Sequence, residues 1–199
     1  MEKKLTNLMR KCINSYVYIE DLLPLKNELE KTDSYGNTAF IYLCRYCKNI
    51  SKDLVKFFER EIDISNNNYT TPLMYLCSRK DNIPIEIIKC ISSNIGNKNA
   101  AGMTALMYLC QNCQNINKEI IKELEDEIEM TNNHGQNALI ILCKYNPYKF
   151  PLKIFYYMRD IANIEDNYGK NSFDYLFERT QDKKIVELAK NLIIVTQNK

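Results

Sequence analysis

Cysteines at 44, 77, 110 and 143 stand 33 residues apart at every step, and a chain with that internal period must build a small unit several times over. The cysteines close a recurring heptapeptide. Thr38-Ala-Phe-Ile-Tyr-Leu-Cys44 is followed by Thr71-Pro-Leu-Met-Tyr-Leu-Cys77, Thr104-Ala-Leu-Met-Tyr-Leu-Cys110 and Asn137-Ala-Leu-Ile-Ile-Leu-Cys143. A worn copy, Asn171-Ser-Phe-Asp-Tyr-Leu-Phe177, and a faint one, Thr6-Asn-Leu-Met-Arg-Lys-Cys12, extend the series at both ends.

Each column has a physical reading. The opening Thr or Asn is a good helix N-cap, and Pro72 follows one where a helix accepts proline best. Leu73, Leu76 and Cys77 lie at i, i+3 and i+4, one stripe of a helix. Two residues before the cap stand Gly36, Gly102, Gly135 and Gly169, a column that reads as a tight turn with positive φ. Tyr69 breaks this column, so its turn is expected to be strained or built differently. Five residues before the cap stand Asp33, Asn66, Asn99, Asn132 and Asp166, suited to Asx turns.

A second helix follows in each unit. Asn49, Asn82 and Asn115 read as left-handed stops to the first helix. Ile50, Ile83, Ile116 and Phe150 then precede the helix-starting Ser51, Pro84, Asn117 and Pro151. Apolar pairs such as Leu54-Val55, Ile87-Ile88, Ile120-Ile121 and Ile154-Phe155 mark the buried side of that helix. Neither helix is long enough to stand alone, so the units must stack. Pro24 falls at mid-helix in the first unit, whose second helix should start late or be displaced. In the last unit the apolar pattern resumes at Ile185-Val186, so its inter-helix loop is shorter than in the other units, and charged residues such as Glu2, Lys3, Lys4, Lys183, Lys184 and Lys190 are placed to solvate the ends.

A 33-residue unit built on Thr-Pro-Leu-x-x-x-Cys after an Asp/Asn-x-x-Gly-x turn resembles the ankyrin repeat. The resemblance implies an all-α, ankyrin-type solenoid of five to six stacked helix-turn-helix repeats with short finger loops. The whole chain, 1–199, reads as one such domain. Residues 1–32 form an N-terminal cap, 33–65, 66–98, 99–131 and 132–165 form repeats, and 166–199 form a C-terminal cap. The His that usually follows Thr-Pro-Leu is replaced by Ile41, Met74, Met107, Ile140 and Asp174, so apolar packing must replace any polar tie it makes.

Groupings that resemble chemistry have simpler readings. Cys44/Cys47 and Cys110/Cys113 form C-x-x-C pairs, but they lie two repeats apart, roughly 20 Å at helix-packing distances of about 10 Å. One zinc ion cannot bridge that gap, and buried core thiols are expected instead. His134 is the sole histidine and sits in a turn, which offers no acid–base pair. The acidic run Glu123, Glu125, Asp126, Glu127 and Glu129 lacks a calcium-loop pattern and reads as a solvated helix end. The recurring Tyr42, Tyr75, Tyr108 and Tyr175 read as a half-buried ladder with wet hydroxyls, the alternative being a binding stripe. No cofactor and no catalytic role are expected. With 27 basic and 25 acidic residues, the chain has no global charge that would draw nucleic acid, and its apolar runs are too short to insert in a membrane. Reduced thiols fit a cytoplasmic or other intracellular, reducing compartment.

The resemblance implies a protein partner on a concave face made by the first helices and the finger tips. Residues there that stacking does not demand are Tyr35, Arg45, Tyr46, Arg79, Gln111, Asn112, His134, Lys144, Tyr145 and Arg179. Their positive charges favour an acidic peptide or surface, bound by a monomeric adaptor. The alternative is a structural or self-assembly module of a larger complex.

Overall fold

The computed structural model describes residues 5–80, 83–148 and 151–197, with side chains through residue 191. Among these residues twelve α-helices follow one another in six pairs. The first helices of the pairs are α1 (Asn7–Cys12), α3 (Ala39–Tyr46), α5 (Pro72–Cys77), α7 (Ala105–Asn112), α9 (Ala138–Tyr145) and α11 (Ser172–Thr180). The second helices are α2 (Ile19–Leu22), α4 (Lys52–Phe57), α6 (Ile85–Cys90), α8 (Lys118–Glu123), α10 (Leu152–Tyr157) and α12 (Lys183–Gln197). Each first helix packs on the first helix of the next unit, and α2, α4, α6 and α8 pack likewise in a second layer. No β-strand occurs among the described residues; the fingers are turns, with a bridge pairing Thr131 and Asn137.

The caps form as their residue types dictate. Side chains of Thr38, Thr71, Thr104 and Asn137 accept the N–H three residues on, and Asn171 joins Asp174 in a capping box. The stripe Phe40, Leu43, Leu73, Leu76, Leu106, Leu109, Leu139 and Leu142 is fully buried between the layers. Ile41, Met74, Met107 and Ile140 join it where the histidine column would stand.

The fingers are Asx turns. In every unit from Asp33 to Asp166 one side-chain oxygen accepts two backbone N–H groups, those two and four residues on. Consecutive turns are then tied together: Asn67 N–H donates to Tyr35 O, Ala100 to Asn68, Asn133 to Ala101 and Asn167 to His134. At Gly36 a Cβ would lie 2.3 Å from Asn67 Oδ1, so this position needs glycine for the neighbouring finger as well as for its φ of 77°. Tyr69 takes the same left-handed turn at φ 58°, strained rather than rebuilt. Its facing residue is Ala100, not Asn, and that exchange clears the space a side chain needs.

Four expectations need correction. The acidic run is not wholly solvated, because Glu127 is 0% exposed. It ends a 3-10 turn and its carboxylate accepts N–H groups from Gly96 (2.9 Å) and Leu106 (2.7 Å). Glu61 repeats this one period of two units earlier, taking Glu30 N–H (2.8 Å) and Phe40 N–H (2.7 Å). Burial pushes both carboxyls up, and the backbone bonds offset part of that shift. Polar ties between units therefore stand beside the apolar packing, and this pair of them comes from the end of the second helix.

Asn49 and Asn115 are not left-handed, and Asn82 lies outside the described residues. The first helices instead turn into extended backbone at Cys47, Cys113 and Asn146. Asn49 is used otherwise, bonding Val17 through both amide atoms at 3.0 Å. The first unit's second helix starts in register at Ile19, not late; Pro24 shortens it, and the chain continues as a 3-10 helix over Leu23–Glu28. The tyrosine hydroxyls, finally, are bonded within the protein rather than left to water. Phe150 and the N-terminal Glu2, Lys3 and Lys4 lie outside the described residues.

Candidate protein-binding face

The tyrosine column joins the first helices to the fingers. Tyr42 and Tyr175 each donate to the Asx-turn carboxylate nine residues upstream, Asp33 and Asp166, at 2.7 Å. Where the turn residue is an amide the bond runs the other way: Asn66 and Asn99 donate to the hydroxyls of Tyr75 (3.0 Å) and Tyr108 (2.9 Å). Burial pushes Asp33 and Asp166 up, but the tyrosine and backbone donors outweigh it and hold both carboxyls below the usual range. Fingers and first helices thus form one continuous face. It encloses a cleft of about 540 Å³ lined by Asn68, Tyr75, Asn99, Ala100, Ala101 and Tyr108, among others.

The ten residues expected to contact a partner divide into groups. Tyr35 and His134 are exposed at finger tips, and His134 stacks on the exposed Tyr168 at 6.3 Å. Arg45 and Tyr46 are exposed on α3. The Arg45 guanidinium lies over the rings of Tyr46 (5.1 Å) and Tyr75 (5.5 Å). Lys144 sits half-buried on α9 over the rings of Tyr175 (4.5 Å), Tyr145 (5.0 Å) and Tyr168 (6.0 Å). Its partial burial alone would lower its pKa, but the Tyr145 and Tyr175 hydroxyls outweigh that and keep it firmly protonated.

Arg79 and Arg179 also serve the stack. Arg79 donates to Cys47 O at the end of α3, and Arg179 to Leu142 O (3.0 Å) and Asn146 O (2.6 Å) at the end of α9. Asn146 does the same for α7, donating to Cys110 O (2.7 Å) and Cys113 O (3.1 Å). Each caps carbonyls that the preceding unit's helix leaves open. Gln111 and Asn112 are half-buried on α7, and Asn112 donates to Tyr108 O (3.1 Å).

Sequence reasoning missed two groups. Tyr69 and Tyr168, 65% and 64% exposed at the fingers, had only a broken glycine column and a Tyr–Gly pair to signal them. Lys48 and Lys80 join Arg45, Tyr46, Ser78 and Arg79 around a second cleft of about 480 Å³ at the ends of α3 and α5.

The remaining chemistry is core chemistry. Cys44, Cys77, Cys110 and Cys143 are fully buried, and burial pushes their thiols up, away from the thiolate a metal or nucleophile requires. Cys90 alone of the eight is exposed. Among the described residues no group of three or more His, Cys, Asp or Glu is arranged to hold a metal ion, and no helix is long and apolar enough to cross a membrane.

The fold is an ankyrin-type repeat solenoid. Its likeness to solved structures covers nearly the full chain. An ankyrin repeat protein, EF0377, superposes with a TM-score of 0.61 at 15% identity, covering 88% of this chain and 90% of that one. A chain from the complex of the predatory endopeptidase Bd0816 of Bdellovibrio bacteriovorus with the immunity protein Bd3460 gives a TM-score of 0.68 at 19% identity, covering 94% and 97%. No protein-family model matches the sequence, and no curated protein matches it either.

Proposed function

We propose that this chain is a non-catalytic adaptor that binds an acidic protein on the face made by its fingers and first helices. One observation carries the reading. Arg45 and Lys144 are each held over two or three tyrosine rings on that face, Lys144 with one further bond to the Tyr175 hydroxyl (3.4 Å). Tyrosine and arginine are the residues most often found as binding hot spots, and rings that hold a cation in place reduce the entropy lost when it meets a carboxylate. Ankyrin-type neighbours, one of them from a complex with an immunity protein, add support for a protein partner.

The test is affinity capture with the immobilised chain and with its Arg45→Glu, Lys144→Glu variant. Partners retained by the first and lost by the second, at equal thermal stability, support the reading. Retention indifferent to both changes places the site elsewhere. A self-assembly role is favoured by one feature only, the exposure of Ile13, Tyr16, Tyr18 and Leu23 on the first unit. Light scattering on the purified chain separates the two, because a concentration-independent monomer excludes self-assembly.

A further inference from the structure

Charge along the proposed face is not uniform, and its layout specifies more than an acidic partner. At the N-terminal end Arg45, Lys48, Arg79 and Lys80 line one cleft, with no carboxylate among its described lining residues. At the other end Lys144 is ringed by Tyr145, Tyr168 and Tyr175. Nearby Lys170, also over the Tyr175 ring at 5.6 Å, is paired with Glu178 at 2.6 Å, and Arg179 donates to carbonyls, whereas Lys144 meets no carboxylate among its ring and hydroxyl contacts.

Between these ends the face is neutral. The central cleft is lined by amides, hydroxyls, Met74 and the small Ala100 and Ala101, with Tyr75 and Tyr108 as its walls. The finger that precedes it carries Tyr69, an exposed ring on strained left-handed backbone. Strain of that kind persists where the surroundings fix it, and it gathers at binding sites.

We infer that the face is a two-anchor groove for one extended acidic segment: two clusters of carboxylates separated by a neutral stretch. This inference rests on the binding face proposed above and adds its layout. The spacing follows from the repeat. Arg45 and Lys144 belong to units three steps apart, and stacked helices lie about 8–10 Å from one another, a span of roughly 24–30 Å. An extended chain advances about 3.3 Å per residue, so the two clusters stand about eight residues apart. The first anchor takes several carboxylates, because its lining holds Arg45, Lys48 and Lys80 beside the Arg79 that caps the Cys47 carbonyl. The second takes a smaller cluster, one carboxylate of which meets Lys144 with its stem on the tyrosine rings. Small or neutral side chains fit between, where Ala100 and Ala101 leave room and a charge would meet no counter-ion.

The test uses fluorescent synthetic peptides in a neutral Ser/Thr/Ala background, with two Glu-Glu pairs separated by 4, 8, 12 or 18 residues. Binding is read by fluorescence anisotropy at about 0.15 M salt. The expected optimum lies at 8 residues, at least tenfold tighter than at 4 or 18, since the second contact is gained only when the linker matches the span. Arg45→Glu and Lys144→Glu should each abolish the spacing dependence, while Lys153→Glu on α10 should leave it intact. An optimum near 18 would mean a helical segment, at about 1.5 Å per residue, and would overturn the extended mode. Binding that needs both cations but ignores spacing refutes the two-anchor layout and spares the face itself. Binding indifferent to either variant, or no binding of any peptide at millimolar concentration, removes both.

Discussion

The pairing of Tyr69 with Ala100 predicts a sign reversal in a double-mutant cycle. In the neighbouring fingers an Asn faces a Gly, and its amide nitrogen donates across: Asn67 to Ser34 O (3.3 Å), Asn133 to Ala100 O (2.9 Å), Asn167 to Asn133 O (3.3 Å). The Asn oxygen lies only 2.3–2.6 Å from where a Cβ on the facing glycine would stand. Ala100→Asn alone therefore drives the new amide against Tyr69 and should cost about 1–2 kcal/mol, a typical overpacking penalty. Tyr69→Gly alone relieves a left-handed turn worth about 1–2 kcal/mol, less about 0.5–1 kcal/mol for the freer unfolded chain. A small gain results. With both changes the new Asn bonds Asn67 O, adding about 0.5–1 kcal/mol. The double variant should then exceed the parent by about 1 kcal/mol, with a coupling of about 2 kcal/mol between the sites. Urea denaturation of all four proteins measures it. Costs that add to within about 0.5 kcal/mol would show that the two positions do not sense each other, and the reasoning would fail.

Other outcomes follow from the same geometry. Asn94, 1% exposed, stands where Glu61 and Glu127 stand in flanking units; it bonds Asp63 instead, and its Oδ1 has no partner among the described residues. Asn94→Glu should reach the Leu73 N–H but sets a carboxylate against Asp63, so the gain of about 1 kcal/mol, about 2–4 °C in Tm by calorimetry, is expected only with Asp63→Asn beside it. Asp33 and Asp166 are held below their unfolded pKa, so their stability is present above pH ~4 and lost as pH falls through the folded value. Asp33→Asn with Asp166→Asn should flatten that acid limb in urea titrations between pH 5 and 2, since Asn66 and Asn99 already serve their tyrosines as donors. Arg179→Met should cost about 1–2 kcal/mol by uncovering carbonyls of α9, and should alter peptide binding far less than Lys144→Glu.

Much of this fold is legible because the repeat samples each position several times. Thr38, Thr71 and Thr104 cap, and Leu43, Leu76 and Leu109 bury, in every copy, so one correct reading fixes the rest. The Glu61 and Glu127 ties escaped for the opposite reason. Glu28, Glu61 and Glu127 share a register, but Asn94 interrupts it, and Glu127 hides among four other acids. An acidic residue is ordinarily solvated, and only its fit under a helix start shows otherwise. Asn49 misled differently: its type suits a left-handed stop, whereas Val17 in the preceding unit offers both a donor and an acceptor. Contacts between units do not appear in a single unit's pattern.

The same distinction separates scaffold from site. Arg79 and Arg179 resemble Arg45 in sequence, each a cation just past the repeated tyrosine-leucine core. The structure gives the first two carbonyls of the preceding unit and gives Arg45 two tyrosine rings. A cation bonded to a helix end is held for the stack, and its removal registers in unfolding. A cation held over rings, as Arg45 is and as Lys144 is with one further bond to the Tyr175 hydroxyl, covers no helix carbonyl, and its removal should register in binding. Stability and binding measured on the same variants therefore sort the positive face into its two parts: Arg179 should move the first quantity, Lys144 and Arg45 the second.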